Sequence, residues 1–428
     1  MTYLHVNFAS RLPLAPVVRA MFAAALCTGA AFVDAQPAPG TAPASAATSA
    51  ARSAENILKI GVIGPFTGPS SDFGLPMLNG IQMAVDEINA GGGYLGRKIQ
   101  IDQKDDQANP DVGLKMAQAL IADKVVATIG FCNTGVALKA VSVFQDNRVP
   151  LIVPCATGTP VTAKYPAATS YIFRTSPRDS IQAPFVIDDL VKRKLTHVAV
   201  FADSTGYGTA GLKDLEAALA ARKLKPVYVS RFALGVTDLS EDMKAAKAAG
   251  ADAIFSYTVG PENAVIARAK SALKWNVPQV GGWPLSFPSF IENGKEAAEG
   301  AMMAQTFIAE PSNERRASFL TSYARRFNVK KIPVPMAAAQ GYDAVYILVY
   351  SMFGIRNADL SGPSVKAALE NLPKTYYGVT ATFEKPFRLA DKDATTANML
   401  VMGVVKNGVI SFAYPEDAQR NLFVQRKQ

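Results

Sequence analysis

Short apolar runs alternate with amphipathic stretches along most of the chain. The first apolar run, residues 57–63, is followed by a stretch at 74–90 in which Ile81, Val85 and Ile88 recur on one face. Short apolar runs favour buried strands, whereas apolar positions that recur about every three or four residues favour a helix. The pattern therefore predicts strands alternating with helices, as in an α/β fold.

This alternation occurs in two series. The first runs through residues 57–174, and the second begins at Asp179 and continues to about residue 280. Each series has the size of one domain, so we predict two doubly wound parallel-sheet lobes whose crossovers have the same hand. Further along, three helical stretches precede a β-rich end, at 314–327, 336–353, 364–372, 380–383, 399–405 and 409–412.

Small polar residues follow two neighbouring apolar runs of the first series. Asn133 and Thr134 come after one run, and Cys155 and Thr157 come after the next. Ligands bind outside the carboxyl ends of the strands in open parallel sheets, and the free N–H groups of a helix start favour an anion. The sequence therefore predicts one side of a small-molecule cleft here.

The N-terminus predicts export. Arg11 and Arg19 precede an Ala-rich apolar run at 20–33, and small residues follow it, so residues 1–35 are interpreted as a signal peptide. The run is shorter than the roughly 20 residues that span a bilayer. Cys27 raises the alternative of lipidation, but a leucine precedes it where such signals need a small residue.

Composition indicates a globular protein after a short spacer. Residues 36–56 are rich in Pro, Ala, Ser and Thr, which predicts a disordered linker. The chain has 428 residues, of which 49% are hydrophobic and 18% charged. The net charge of +9 falls to +8 without residues 1–35, which carry two Arg and one Asp. Lys and Arg do not cluster with aromatic residues, so we predict no nucleic-acid partner.

No pattern of catalytic or metal-ligating residues is present. The glycines at 91, 93 and 96 match a dinucleotide fingerprint, but they follow a helix and precede a strand, which is the reverse of the required order. His197 is the only histidine after residue 35. Cys132 and Cys155 are interpreted as free thiols, with a disulfide as the alternative. We predict no enzyme, no cofactor and no metal.

Several segments together resemble one family. They are residues 60–69 (IGVIGPFTGP), 80–96 (GIQMAVDEINAGGGYLG), 105–106 (DD), 173–175 (FRT) and 341–344 (GYDA). In number, order and spacing they resemble the branched-chain amino-acid-type periplasmic binding proteins, the solute receptors of ABC transporters. The resemblance extends from about residue 57 to the C-terminus.

The resemblance implies two discontinuous lobes joined by three crossovers. Lobe one would comprise residues 57–174 and 306–385, and lobe two residues 175–305 and 386–428. Closure of the lobes by a hinge motion would enclose the ligand. It also implies a periplasmic, monomeric protein that delivers a small ligand to membrane permease subunits of an ABC transporter.

The resemblance also implies which residues contact the ligand. Family members hold its carboxylate with N–H and hydroxyl groups, which correspond here to Asn133, Thr134, Thr157 and the backbone of Cys155. Capping and turn formation are the structural alternatives for these residues. Three more contacts are implied: Phe73 covering the ligand, Tyr207 reaching in from lobe two, and either Thr258 or Val259. For Phe73 and Tyr207 the alternative role is packing.

Trp283 marks a departure from the family. Members that bind amino acids have a glutamate at this place, which receives the ligand's ammonium group. A buried ammonium without a partner would cost several kcal/mol. Either another acid substitutes, with Asp203 the nearest candidate, or the ligand lacks an α-amino group. The sequence favours the second alternative, an aromatic or aliphatic acid that packs on the indole.

Two other functional classes remain as alternatives. A cytoplasmic ligand sensor of the same fold would act on a regulatory partner, and an unprocessed cytoplasmic chain would favour it. An enzyme would turn over its bound ligand.

Overall fold

The computed structural model describes residues 56–421 and 425–427 and confirms an α/β fold of two lobes. The predicted signal peptide and nearly all of the predicted spacer lie outside the described residues. Each lobe is built around one sheet. Strand residues alternate between the apolar clusters on the two faces: in the first strand Ile60 and Val62 face one cluster and Ile63 faces the other.

The first sheet is parallel, with strand order β2-β1-β3-β4-β5. Its strands are β1 (Ile57–Gly64), β2 (Lys98–Asp105), β3 (Thr128–Gly130), β4 (Leu151–Val153) and β5 (Ile172–Arg174). The intervening helices are α1 (Ser71–Ala90), α2 (Pro110–Ala122), α3 (Thr134–Asp146) and α4 (Pro160–Ala163). A single 3-10 turn (Ala167–Thr169) leads into β5.

The second lobe repeats the pattern with five parallel strands. They are β6 (Val198–Asp203), β7 (Tyr228–Phe232), β8 (Ala253–Tyr257), β9 (Gln279–Gly281) and β10 (Met302–Gln305). Its helices are α5 (Asp179–Lys192), α6 (Gly206–Ala220), α7 (Ser240–Ala248), α8 (Glu262–Ala272) and α9 (Pro288–Gly294), with 3-10 turns at Trp283–Ser286 and Lys295–Ala298.

The tail supplies elements to both lobes. It contains α10 (Glu314–Phe327), α11 (Pro335–Met352), α12 (Gly362–Glu370), β11 (Tyr376–Tyr377), β12 (Thr382–Phe383), a 3-10 turn (Ala397–Met399), β13 (Val401–Lys406), β14 (Val409–Phe412) and α13 (Pro415–Arg420). Apolar residues of α10, α11 and α12 belong to a cluster with β1. β13 and β14 are antiparallel and complete the second sheet, in the order β14-β13-β10-β9-β8-β6-β7.

Two glycines allow α11 to pack closely against α1 of the first lobe. A Cβ at Gly80 of α1 would lie 2.0 Å from the carbonyl oxygen of Ala338, and one at Gly341 would lie 2.7 Å from that of Met77. Each helix therefore needs a glycine where it meets the other. This close crossing gives a physical reason for two of the segments that carry the family resemblance.

The hinge is built around a buried arginine. Arg174, at the end of β5, pairs with Asp393 of the returning chain at 2.7 Å. The two segments also bond through their backbones, from Arg174 N–H to the Lys392 carbonyl at 2.9 Å and from Ala394 N–H to the Arg174 carbonyl at 2.8 Å. The first crossover, at Arg174, and the returning chain at residues 392–394 are therefore hydrogen-bonded to each other.

Some elements differ from the sequence expectation. Helices α9 and α13, of seven and six residues, are too short to show a helical period in the sequence. The segment after residue 385, expected in lobe two, first packs with lobe one, where the ring of Phe387 lies 4.9 Å from that of Phe173. The chain joins the second sheet only at Val401.

Candidate functional site

The two lobes meet along the carboxyl ends of their sheets. The closest approach joins the start of α3 to the start of α6: a Cβ at Gly206 would lie 2.7 Å from the Cα of Gly135. Since both helix starts carry partial positive charge, the facing ends repel each other unless an anion lies nearby. The cleft is therefore closed and has an electropositive edge.

Aromatic side chains from both lobes pack against each other across this cleft. Phe73 of α1 lies 4.7 Å from Phe287 between ring centroids and 6.5 Å from Trp283 in an edge-on arrangement. All three are buried. Phe73 and Trp283 were expected at the site, whereas Phe287 was not, because it follows a 3-10 turn that the sequence pattern does not reveal. Together the three rings form an apolar wall that exists only when the lobes are closed.

The start of α3 places Asn133 and Thr134 at the cleft. Asn133 is the N-cap residue, although its side chain donates to the Ser70 hydroxyl at 3.2 Å and makes no capping bond. The Thr134 hydroxyl accepts from the Gly158 N–H at 3.1 Å. The first-turn N–H groups of α3 thus receive no side-chain cap, and the Thr134 hydroxyl oxygen serves to join two loops of lobe one.

The loop after β4 contributes unpaired backbone donors. The N–H groups of Cys155 and Thr157 have no hydrogen-bond acceptor among residues 56–421 and 425–427. Both side chains are buried. Cys155 and Cys132 are free, and the Cys132 thiol contacts the sulfur of Met77 at 3.7 Å. Burial, followed by the facing Cys155 thiol, raises the pKa of Cys132 well above its usual value.

The second lobe brings Tyr207 and Thr258 to the same edge. Tyr207 lies in the first turn of α6, which Thr205 caps through a bond from the Tyr207 N–H at 3.2 Å. Its ring packs 5.2 Å from that of Tyr257. Thr258 directly follows β8, is fully buried, and its hydroxyl has no partner among the described residues. The indole N–H of Trp283 is likewise buried and unpaired there.

Asp203, the acid suggested by the sequence, already accepts hydrogen bonds from neighbouring residues. Its carboxylate accepts from the Thr205 N–H at 2.9 Å, the Thr205 hydroxyl at 2.5 Å and the Val259 N–H at 3.2 Å. These bonds hold the loops after β6 and β8. Asp203 therefore supports the site and does not present a free oxygen to a ligand.

Asp179 is the acid that sequence reasoning missed. It opens α5 directly after the first crossover and is fully buried. One carboxylate oxygen accepts from Gln182 at 3.1 Å, while the other has no partner in the described part of the chain. Burial raises its pKa to about 7, although the neighbouring Thr157 hydroxyl opposes this shift. In the sequence, an acid in the first turn of a helix is ordinary, so only its burial singles it out.

Two buried carboxyls should make the free protein more stable at mildly acidic pH. Burial raises the pKa of Asp106, like that of Asp179, from 3.8 to about 7. Between these values the folded chain binds more protons than the unfolded chain, so stability falls as pH rises. We expect the melting temperature to rise by about 2–4 °C from pH 8 to pH 5.5. Calorimetry of wild type and an Asp106→Asn/Asp179→Asn variant checks this, since an equal rise in the variant would contradict it.

Two further features concern metals and membranes. Among the residues described by the structure, no group of three or more His, Cys, Asp or Glu side chains could hold a metal ion. Within the same ranges, none of the helices has the length and apolar character required to cross a bilayer.

Comparisons with known proteins identify the family. The family model described as "Periplasmic binding protein" matches residues 57–408. The Leu/Ile/Val-binding protein BraC3 of Rhizobium johnstonii is 30% identical over 292 residues, which cover 68% of this chain and 77% of that protein. The family and this relative are solute-binding proteins, not enzymes.

Solved structures show the same fold. A type 1 periplasmic binding protein from Bordetella pertussis aligns with a TM-score of 0.75 at 25% identity, covering 83% of this chain and 99% of that one. A solute-binding protein from R. palustris in complex with benzoate aligns with a TM-score of 0.72 at 19% identity, covering 83% and 95%. The chain is therefore a member of the periplasmic binding protein family, of the branched-chain amino-acid type with the type I fold.

Proposed function

We propose that this protein is a periplasmic receptor that closes its lobes over a small carboxylate-bearing ligand and delivers it to the permease of an ABC transporter. The observation that carries the proposal is a set of unpaired backbone N–H groups on the side of lobe one that faces lobe two. They are the N–H groups of Cys155 and Thr157 and those of the first turn of α3. Buried N–H groups without acceptors are costly. A bound carboxylate would satisfy several of them at once.

Electrostatics of the closed cleft favours an anion. The starts of α3 and α6 approach each other at Gly135 and Gly206. Each brings the positive end of a helix dipole, and a negative charge next to them is favourable by about 0.3–1 kcal/mol for each helix. An anionic ligand therefore favours the closed arrangement over the open one.

The aromatic wall suits the apolar part of such a ligand. Phe73 comes from lobe one, while Trp283 and Phe287 come from lobe two. A ligand that contacts rings of both lobes gains this contact only on closure, which is the differential affinity that a hinge motion requires. Amino acids and aromatic or aliphatic acids all meet this description.

The proposed role in transport also implies where the protein is located and which partners it has. BraC3 binds Leu, Ile and Val according to its name. By extension, we infer that this chain acts as a monomer, is exported through its N-terminal signal, and has permease subunits but no nucleic acid as partners. The contacts assigned to the ligand are Phe73, Asn133, Thr134, Cys155, Thr157, Tyr207, Thr258 and Trp283. The hydroxyl oxygen of Thr134 also accepts a hydrogen bond from the Gly158 N–H.

The test is a binding screen followed by one pair of variants. Thermal shift against L-amino acids and aromatic and aliphatic acids should identify a carboxylate that binds, and calorimetric titration should give its affinity. Trp283→Ala should weaken binding about tenfold or more, because the aromatic wall is lost. Trp275→Ala should leave it unchanged, since Trp275 packs in a cluster on lobe two away from the cleft. Absence of any carboxylate that binds would overturn the proposed function.

A further inference from the structure

Basic side chains line a cavity outside the cleft. The cavity lies beside the β11–β12 hairpin, is lined by parts of residues 372–375, 382–388 and 426–427, and has a volume of about 320 Å³. None of the residues assigned to the carboxylate ligand belongs to its lining. Five of the six charged residues in the lining are basic, and the six are Lys374, Glu384, Lys385, Arg388, Arg426 and Lys427.

The acidic groups near this cavity already have basic partners. Glu384 pairs with Arg426 at 2.6 Å, and Asp391 pairs with Lys427 at 2.7 Å. Glu370, the acid of an adjoining cavity, is bonded by two lysines at 2.7 and 2.8 Å. These carboxylates therefore do not neutralise the three basic residues that remain in the lining.

Lys374, Lys385 and Arg388 carry charges without a counter-charge. Their side chains are exposed and have no ion pair or hydrogen bond among residues 56–421 and 425–427. Lys385 and Arg388 line the adjoining cavity as well, so they form the wall that the two cavities share. Like charges that line one cavity repel each other, and an anion placed between them lowers the electrostatic free energy.

Uncharged donors lie among these cations. The backbone N–H groups of Thr375 and Lys385 have no acceptor in the part of the chain that the structure describes. The Thr375 hydroxyl, which belongs to the same lining, has no hydrogen-bond partner there either. The cavity therefore offers an anion both positive charge and neutral hydrogen-bond donors.

We propose that this cavity is a second binding site, separate from the cleft, that takes a phosphate group of a small soluble compound or of a phospholipid headgroup. A phosphate group carries up to two negative charges and presents three acceptor oxygens, so it matches three free cations better than a single carboxylate does. The Arg388 guanidinium can bond two of these oxygens at once, whereas Lys374 and Lys385 act as point charges.

The experiment uses two kinds of phosphate probe on the full mature chain. Titration calorimetry measures binding of inorganic phosphate and of pyrophosphate, and sedimentation measures binding to phosphatidylcholine vesicles with and without phosphatidylglycerol. We expect at least one kind of probe to bind, with vesicle binding confined to those that contain phosphatidylglycerol. Raising the salt concentration from about 20 mM to about 200 mM should weaken this binding at least about fivefold, because the cations are exposed and salt screens them.

A pair of double variants locates the site. Lys385→Gln/Arg388→Gln should weaken binding of the phosphate probe at least about tenfold, since two of the three free charges are removed. Lys330→Gln/Lys331→Gln is the matched control, because these two lysines are also exposed and unpaired among the described residues but do not line the cavity. The control should change binding less than about twofold, and neither double variant should change the affinity of the cleft for a carboxylate.

Lys374→Gln gives a second measurement on another segment of the lining. This single variant should weaken binding of the phosphate probe about threefold. Since the Lys374 side chain is exposed and makes no bond among the described residues, the melting temperature should not change.

The results distinguish the two sources of the phosphate group. Binding of inorganic phosphate or pyrophosphate without vesicle binding assigns the site to a soluble compound, and vesicle binding alone assigns it to a lipid headgroup. The proposal is overturned if neither kind of probe binds, or if the cavity variants and the Lys330→Gln/Lys331→Gln control lose the same affinity.

Discussion

Replacing Gly206 by alanine should weaken ligand binding about ten- to hundredfold. The new Cβ would lie 2.7 Å from the Cα and 3.0 Å from the N of Gly135, on the other lobe. Neither atom belongs to a side chain that could rotate away, so the lobes must stay slightly open. Overpacking of this kind costs about 1–3 kcal/mol, which is paid only in the closed state. Calorimetric titration measures the affinity, and small-angle scattering measures closure.

Gly135→Ala is the control, because it changes the other residue of the same contact. A Cβ at Gly135 would lie 3.5 Å from the N of Gly206, which is an ordinary contact. Gly135→Ala should therefore change affinity less than about threefold. Gly206→Ala should not lower the melting temperature of the free protein, because alanine suits a helix better than glycine does. Equal effects of the two variants would show that this approach does not limit closure.

Replacing Arg174 by methionine should cost about 3–5 kcal/mol of unfolding free energy. The buried guanidinium bonds Asp393 at 2.7 Å, the carbonyl oxygens of Thr157 at 3.0 Å and Gly158 at 2.8 Å, and the Thr162 hydroxyl at 2.7 Å. Methionine satisfies none of these groups and leaves Asp393 without its main partner. Denaturant unfolding, followed by circular dichroism, measures the loss.

A weaker partner of the same aspartate supplies the comparison. Arg178 lies 3.4 Å from Asp393 and is about one third exposed, with 34% of its side chain accessible. Arg178→Met should cost less than about 1 kcal/mol. Adding Asp393→Asn to Arg174→Met should recover part of the loss, because the uncompensated charge is removed. A similar loss for Arg174→Met and Arg178→Met would contradict this account of the hinge.

The arginine also links stability to function. Two of its four acceptors are carbonyl groups of the loop that contains Thr157. Fixing these carbonyls orients the Thr157 and Gly158 peptide groups in the loop that follows β4. The hinge and the proposed carboxylate site are therefore parts of one hydrogen-bonded unit, and Arg174→Met should weaken binding as well as folding.

The local pattern of the chain was sufficient for the architecture. Strand β1 could be predicted because its residues face apolar clusters on both sides of the sheet. The cleft edge near Thr157 could be predicted because parallel strands bring their carboxyl ends together. Such inferences depend on neighbours within one or two elements, which is the range over which hydrophobic periodicity carries information.

The properties that distinguish this site depend on residues far apart in the chain. Sequence suggested Asp203 as the acid, but that carboxylate is occupied by Thr205 and Val259, whereas Asp179 retains an unpaired oxygen. The near-contact of Gly135 with Gly206 likewise arises only when the lobes close. The sequence by itself determined which segments become strands and helices, because burial of one face of an element gives a periodic pattern of apolar residues. The tertiary structure decided which acid keeps an unpaired oxygen and which glycines come into contact. Contacts across a cleft join residues far apart in the chain and therefore give no periodic pattern in the sequence.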